Sequence, residues 1–171
     1  MVFELGLVQR AYLQVLEHQL KRVLQTLRGF PADRLDERRK GCAASLRELA
    51  AEFVNRVHRI DEIAYGRPIL RPQIERRSRV EILLDLETAY LGARAVLVAM
   101  PPARWAELVP APAGLAPIVQ ARRGELLWFA LRDLIRHHRH LTLHTRGVCR
   151  NGRLVRTPTM ERALDEVVVA G

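Results

Sequence analysis

The chain has 171 residues, which is enough for one domain with a hydrophobic core and hardly enough for two. Its 28 Lys and Arg residues and 19 Asp and Glu residues give a net charge of +9, and nearly all of the positive charge is arginine. This charge permits a polyanionic partner. However, the arginines are spread along every predicted helix and no aromatic residues alternate with them, which argues against a platform for single-stranded nucleic acid.

The N-terminal segment and the cysteines predict a cytoplasmic protein. The segment carries Glu4 and lacks the basic start and uninterrupted apolar core of a secretory signal. No apolar run reaches the roughly 20 residues that cross a membrane, so no membrane partner is expected. Cys42 and Cys149 are far apart in the sequence and form no CxxC motif, so we expect two free thiols in a reducing compartment.

Residues 3–28 are predicted to form the first amphipathic helix, with Gly29 as a suitable C-terminal stop. Pro31 and Gly41 argue against a helix through the charged connection that follows. Apolar residues recur at three- and four-residue steps along one side of the helix: Leu5, Val8, Tyr12, Val15, Leu16, Leu20, Val23, Leu24 and Leu27.

A capping box predicts the start of the second helix, over residues 45–65. Ser45 is expected to cap the exposed backbone amides, and Glu48 to reach back to it. Gly66 and Pro68 end this helix. Glu52 lies on the flank of the apolar stripe and, taken alone, is typical of a solvated helix carboxylate. The residues expected to face inward are Leu46, Leu49, Phe53, Val57, Ile60 and Ala64.

The third helix is predicted over residues 72–100 and is stopped by Pro101 and Pro102. The Pro-rich segment after it, over residues 101–117, is long for a connection, and such segments often form the wall or lid of a pocket. The periodicity of this helix predicts an inward stripe of Val80, Leu83, Leu84, Glu87, Leu91, Ala95 and Val98.

The fourth helix, predicted over residues 120–146, has the most informative pattern. Its apolar stripe consists of Leu127, Ala130, Leu131, Leu134 and Leu141. His137 follows Asp133 by four residues, so both side chains project from the same side, one turn apart. A carboxylate and an imidazole at this spacing can bind a divalent metal. Equally, an Arg- and His-rich run is common on a solvated helix face, and two ligands do not make a site.

The remaining histidines of the fourth helix differ in their expected positions. His138 lies on the far side of the stripe from Asp133 and is predicted to face solvent. His140 and His144 follow Asp133 and His137 along the helix, so either is a candidate substitute ligand.

After the fourth helix, Gly147 is a stop signal, and Asn151-Gly152 between two short apolar runs predicts a β-hairpin. Thr157-Pro158 predicts the start of a short final helix. We therefore expect one bundle over residues 1–147, with a C-terminal hairpin and short helix over 148–171 packed on it. Short connections predict an all-α, antiparallel up-down-up-down four-helix bundle.

Two stretches resemble the DinB-like (YfiT-like) four-helix-bundle family. The first is SLRELAAEFVNRVHRIDEIAYG, and the second is RGELLWFALRDLIRHHRHLTLHTRGV, which is similar to a family pattern with an ELL start and a later H-H-R run. Together with the helix spacing, the similarity spans about residues 1–147. The family includes metal-dependent transferases that use bacillithiol or mycothiol, and its members often form homodimers. The resemblance therefore implies a thiol cosubstrate and a homodimeric assembly.

The resemblance implies a divalent metal held by Glu52, Asp133 and His137. Glu52 stands where the family usually has a histidine. Arg136, Arg139 and His140 also depart from the family pattern, replacing a histidine, a small residue and a glutamine. Additional carboxylates shift the preference from Zn²⁺ and Ni²⁺ towards Mn²⁺ or Mg²⁺ and weaken binding, so occupancy is doubtful.

An ion pair could also replace the metal. Arg139 could pair with Glu52 or Asp133, and Arg136 and Arg146 are close in sequence. Such pairing competes directly with metal ligation. Two accounts therefore stand side by side: a metal site that is retuned, or a metal site that is lost.

Three functions follow from these observations. The first is a metal-dependent thiol transferase or hydrolase, in which the metal lowers the pKa of a thiol or water and an arginine-rich rim, with Arg139, His140 and His144, binds an anionic substrate. The second is a non-catalytic bundle that binds a ligand or a protein through a degenerate site. Nucleic-acid binding ranks last, because no helix carries clustered base-reading residues.

Overall fold

A computed structural model of the chain describes residues 2–38, 42–66, 78–112, 118–146, 149–150 and 153–154. Most of these residues are helical, as the sequence predicts. The described helices are α1 (Val2–Gly29), α2 (Leu46–Tyr65), α3 (Arg79–Ala99) and α4 (Arg123–Thr145), with 3-10 turns at Ala32–Arg34 and Pro102–Ala106. The short strands β1 (Leu108–Pro110) and β2 (Gln120–Arg122) pair with each other, as do β3 (Cys149–Arg150) and β4 (Arg153–Leu154).

Capping boxes fix where α2 and α3 begin. Before α2, the Glu48 amide donates to Ser45 Oγ at 3.2 Å, and the Ser45 amide donates to the Glu48 carboxylate at 2.6 Å. The same motif forms between Ser78 and Glu81, so the described part of α3 begins at Arg79. The earlier start predicted for α3, near residue 72, falls outside the described residues.

α1 and α3 run antiparallel. The side-chain amide of Gln9, near the start of α1, donates to the Met100 carbonyl at 3.2 Å, just past the end of α3. Arg79, at the start of α3, donates to the Phe30 carbonyl at 2.8 Å, just past the end of α1. The opposite ends of the two helices are therefore adjacent.

α1 and α4 run in the same direction. The Tyr12 hydroxyl donates to the Leu127 carbonyl at 3.0 Å, near the start of α4. Further along both helices, the side-chain oxygen of Gln19 lies 2.6 Å from Nδ1 of His138. Contacts that advance along both helices together require the same direction.

α2 and α4 are antiparallel, because Leu49 near the start of α2 contacts His137 late in α4, whereas Ile63 near its end contacts Arg123 at the start of α4. α2 and α3 must therefore point the same way, and the expected up-down-up-down order is wrong at this step. The number of residues between α2 and α3 permits this, because a fully extended segment of 13 residues reaches about 40 Å, more than the roughly 30 Å length of α2.

The core lies between the four helices. The inward stripe predicted for α1 is buried from Tyr12 to Leu27 apart from Val15, which is partly buried, whereas Val8 is exposed. The stripe of α2 is buried as predicted except for Leu49, which is partly buried. The stripe of α4 is buried throughout: Leu127, Ala130, Leu131, Leu134 and Leu141.

The inward stripe predicted for α3 is wrong at most of its positions, although Leu83 is partly buried and packs against the core. Val80, Leu84, Leu91 and Val98 are exposed, and the residues that α3 buries are Ile82, Leu86, Ala89, Ala93 and Leu97. Both sides of this helix carry apolar residues at helical spacing. Its periodicity therefore permits two opposite stripes and does not say which one faces the core.

The described part of the Pro-rich segment packs against the bundle. Trp105, in the 3-10 turn, is buried, and its ring meets the Tyr12 ring edge-on with centroids 5.7 Å apart. A Cβ on Gly124, at the start of α4, would lie 3.1 Å from the indole, which is tighter than an ordinary contact, so glycine favours this close approach. Residues 113–117, where a lid would extend, lie outside the described residues.

Three further expectations can be compared with the structure. The predicted C-terminal hairpin is confirmed by the antiparallel pairing of β3 with β4, while the predicted final helix lies outside the described residues. Cys42 is disulfide-bonded, so the expectation of a free thiol there is wrong, since separation in sequence says nothing about separation in space. Among the described residues, no helix combines the length and apolar character needed to cross a membrane.

Candidate functional site

The predicted metal ligands lie where α2 and α4 face each other. Arg56, one turn after Glu52 on α2, forms an ion pair with the Glu52 carboxylate. Its Nε also lies 3.0 Å from Oδ2 of Asp133 on α4. Nη1 of Arg59 approaches the same oxygen at 3.5 Å. The structure thus joins the two predicted carboxylate ligands through a guanidinium.

At this site the arginine side chains are more deeply buried than the carboxylates. The side chains of Arg56 and Arg59 are 18% and 15% exposed, whereas those of Asp133 and Glu52 are 33% and 48% exposed. Arg56 contacts two different carboxylates through one nitrogen each, and Arg59 reaches Asp133 through Nη1 alone. Neither arginine therefore makes the two-pronged contact in which arginine pairs most strongly with a single carboxylate. The half-exposed Glu52 pair contributes little to stability, while the Asp133 pairs lie deeper and are less screened by solvent.

His137 is held as a neutral donor. Its Nε2 lies 2.8 Å from the Leu49 carbonyl, which can only accept, so this nitrogen carries the proton. Burial, followed by the charge of the nearby Arg56, lowers the pKa of His137 to about 4. The ring is therefore uncharged at neutral pH, which is the state a metal requires, but Nε2 is already used in a hydrogen bond within the protein.

The three other residues predicted to bind a ligand differ in their burial and in their neighbours. The His140 ring lies 6.0 Å from the His137 ring, and burial, Arg136 and Arg56 lower its pKa. His144 is buried in the interior side of α4, whereas Arg139 is exposed. Among the described residues, no ion pair joins Arg139 to either carboxylate, and the pairing arginines come from α2 instead.

His138 is not solvent-facing, which corrects the sequence expectation. It is buried, its Nδ1 lies 2.6 Å from the Gln19 side-chain oxygen, and burial followed by the charge of Arg22 lowers its pKa to about 4. The reason is that both α1 and α2 pack on α4, so the buried surface of α4 is wider than the leucine stripe.

Two further polar groups are buried along α2. Arg123 of α4 is 3% exposed and donates to the Ile63 and Ala64 carbonyls at the end of α2 and to the Glu107 carboxylate at 2.8 Å. These bonds satisfy carbonyls that a helix end leaves unpaired. Asp61 faces α3, and burial, with a smaller effect of Glu62, raises its pKa to about 6.

Sequence reasoning missed the two arginines that define the site. A signal was present, because Glu52 and Arg56 have the acid-before-base, four-residue spacing of a helical ion pair. Arg59, three residues later, lies on the neighbouring turn. What the sequence did not provide was the register of α2 against α4, which brings both guanidiniums to Asp133.

The donor set can be tested against a metal. Two carboxylates and an imidazole suit a hard or borderline ion, but in this arrangement both carboxylates face guanidiniums and the imidazole donates to a carbonyl. In the part of the chain that the structure describes, no group of three or more His, Cys, Asp or Glu side chains is arranged to hold a metal ion. A metal bound by these three side chains would therefore have to displace the guanidiniums from the carboxylates and the Leu49 carbonyl from the imidazole.

Comparison with known proteins adds no relative. No family model matches the sequence, and no curated protein matches it. The resemblance to the DinB-like family therefore rests on the two motifs in α2 and α4.

Proposed function

We propose that this protein is a non-catalytic helical bundle that binds a small anionic ligand at the site between α2 and α4. The observation that carries the proposal is the position of Arg56 between Glu52 and Asp133. A guanidinium cannot lose its proton in a protein, so a divalent cation would have to displace a fixed positive charge. An anion does not meet that barrier.

The charges around Asp133 also favour an anion. Arg56 and Arg59 contact the Asp133 carboxylate, and Arg136 lies close enough to His140 to lower the pKa of that ring. With the histidines neutral, these three positive charges outweigh the carboxylates of Glu52 and Asp133. A site with a net positive charge attracts ligands of negative charge.

Arg59 supplies a donor for such a ligand. Its Nε is buried, and within the described residues it has no hydrogen-bond partner. A buried N–H without a partner is costly, so a carboxylate or phosphate oxygen that accepts from it gains free energy. The planar fork of arginine matches both groups. The expected ligands are therefore small carboxylates or phosphates, including the anionic substrates that the sequence analysis expects.

Thermal unfolding with added anion tests this proposal. Inorganic phosphate and succinate should raise Tm in a saturable way, and Arg59→Gln should remove most of that increase. Arg132→Gln is the matched control, because Arg132 is exposed on α4 and stacks over Phe129. An equal increase in Tm in wild type and Arg59→Gln would contradict binding at this site.

A second candidate is the metal-dependent thiol transferase or hydrolase that the resemblance implies. One observation favours it: His137 is neutral and lies near Glu52 and Arg56, both of which affect its pKa. Glu52, Asp133 and His137 would hold the ion, which would lower the pKa of a thiol or water.

Elemental analysis separates the two candidates. About one equivalent of transition metal in the purified protein, lost in Asp133→Ala or His137→Ala, would support the metalloenzyme and contradict the proposal. If metal binds only when Mn²⁺ or Zn²⁺ is added to the Arg56→Met variant, the result would support a metal site that the Arg56 guanidinium blocks in the wild type.

A further inference from the structure

α3 exposes an apolar stripe. Val80, Leu84, Leu91 and Val98 are 70%, 62%, 60% and 56% exposed, and they follow one another at helical spacing along one side of the helix. Ala95, also exposed, lies beside Leu91 on that side. Single exposed apolar residues are ordinary, but a row of them along a helix marks an interaction surface.

The opposite side of the same helix is packed in the core through Ile82, Leu86, Ala89, Ala93 and Leu97. A helix that is apolar on all sides is normally covered on all sides. α3 packs on α1 and α2, and α4 packs on the same two helices, so the exposed side of α3 lies away from the site on α4. Whatever covers this stripe is therefore independent of the ligand at that site.

We propose that the exposed stripe of α3 is a two-fold interface between two copies of this chain. If two α3 helices cross antiparallel with the axis at Leu91, then Leu91 meets its own copy and Leu84 meets Val98 of the second copy, because 84 and 98 are equally distant from 91. Leu84, Leu91 and Val98 therefore cover one another, as a self-complementary interface requires. Val80 has no counterpart, because its symmetry-related position, 102, lies beyond the end of α3.

The charges beside the stripe are complementary in the same arrangement. Glu87 and Arg94 lie on one flank, on either side of Leu91, and Arg94 is exposed. The two-fold axis brings Glu87 of each copy towards Arg94 of the other, so two ion pairs form. Glu87 also pairs with Arg28 of α1 through Oε1 at 2.7 Å, with both side chains well exposed, so it remains accessible to a second guanidinium.

The charges beside the stripe also favour a second copy of the chain over other binding partners. The chain has a net charge of +9. Beside the stripe, Glu87 and Arg94 of α3 lie near three charged residues of α1: Glu17, Lys21 and Arg28. The local excess is therefore a single positive charge. A nucleic acid or an anionic lipid surface would require a larger excess of positive charge at the contact. A second copy needs only the apolar match and the opposed Glu87 and Arg94.

Reversing the charge of Glu87 or of Arg94 tests the interface. Sedimentation velocity should show a wild-type dimer, and Glu87→Arg and Arg94→Glu should each weaken association by at least about tenfold, because each places like charges opposite one another twice. An equimolar mixture of the two variants should form a heterodimer, since all four charges are then opposite in sign across the axis. Arg132→Glu on α4 is the control and should leave the dimer intact.

The mixture also controls for misfolding of the variants. A variant that did not fold could not associate with the other variant, so a heterodimer shows that both are folded. A mixture that associates more tightly than either variant alone supports the proposal. A wild-type chain that remains monomeric as its concentration is raised overturns it, and the stripe then belongs to another partner or another segment of this chain. A dimer that is insensitive to both charge reversals and to Leu91→Lys also overturns it.

Discussion

The site between α2 and α4 and the exposed stripe of α3 depart from ordinary burial in opposite directions. In the site, Arg56 and Arg59 are mostly buried beside Asp133. On the stripe, Leu84 and Leu91 are mostly in solvent. Buried charge and exposed apolar surface each cost stability, so each is expected where function requires it. The difference is that the site pairs its charges within one chain, whereas the stripe has no covering within the described residues.

The largest effect expected for a charged residue tests whether a buried arginine in this protein is always part of a functional site. Arg123→Met should lower the free energy of unfolding by about 2–4 kcal/mol, because the Ile63 and Ala64 carbonyls lose a charged donor at the end of α2. Urea denaturation measures it. Arg122→Met changes an exposed neighbour and should cost no more than about 0.5 kcal/mol. Equal small effects would mean that Arg123 is not a structural cap.

The next effect concerns pH. Burial lowers the pKa of His137 and of His138 to about 4, below the ordinary value of 6.5. Between these values the unfolded chain binds protons that the folded chain does not, so stability should fall as the pH falls from about 6.5 towards 4. Asp61, with a pKa raised to about 6, acts in the opposite direction and makes this loss smaller.

His138→Gln separates that pH dependence from the site. It should reduce the dependence of stability on pH by about one proton between pH 6.5 and 4, measured by urea unfolding at several pH values. The anion-induced increase in Tm should remain, because His138 contacts Gln19 of α1 and not the arginines of α2. His18→Gln, at an exposed position, is the control. An unchanged slope in His138→Gln would show that His138 is not buried in its neutral form.

A smaller effect is expected at the site itself. Asp133→Ala removes the carboxylate that Arg56 and Arg59 share, leaving two partly buried guanidiniums facing each other. We expect a loss of about 1–2 kcal/mol, less than for a fully buried pair because the Asp133 side chain is one-third exposed. The double variant Arg56→Ala/Asp133→Ala should lose less than the sum of the single variants. Additive losses would indicate that the ion pair contributes nothing.

The two regions also show how far sequence reasoning extends. Four helices and the capping box at Ser45 could be predicted. The leucine stripe of α4 could be predicted as well, because the opposite side of α4 is mostly polar apart from Phe129 and Leu143. α3 has no such polar side, so periodicity selected the wrong stripe. The spacing of Asp133 and His137 was also evident. The pairing of Asp133 with Arg56 was not, since it depends on how α2 and α4 are aligned along their axes.

The smallest expected effect is the change in the stability of the monomer when a residue of the stripe is replaced. Leu91→Gln should change the unfolding free energy of the monomer by no more than about 0.5 kcal/mol, because Leu91 is exposed and leaves no cavity in the core. Leu97→Ala, on the buried side of α3, should instead cost about 2–5 kcal/mol. Unfolding is best measured at dilutions where any dimer has dissociated, since association stabilises the folded state by mass action. If Leu91→Gln is as damaging as Leu97→Ala at those dilutions, Leu91 packs within its own chain, and the stripe is not an interface.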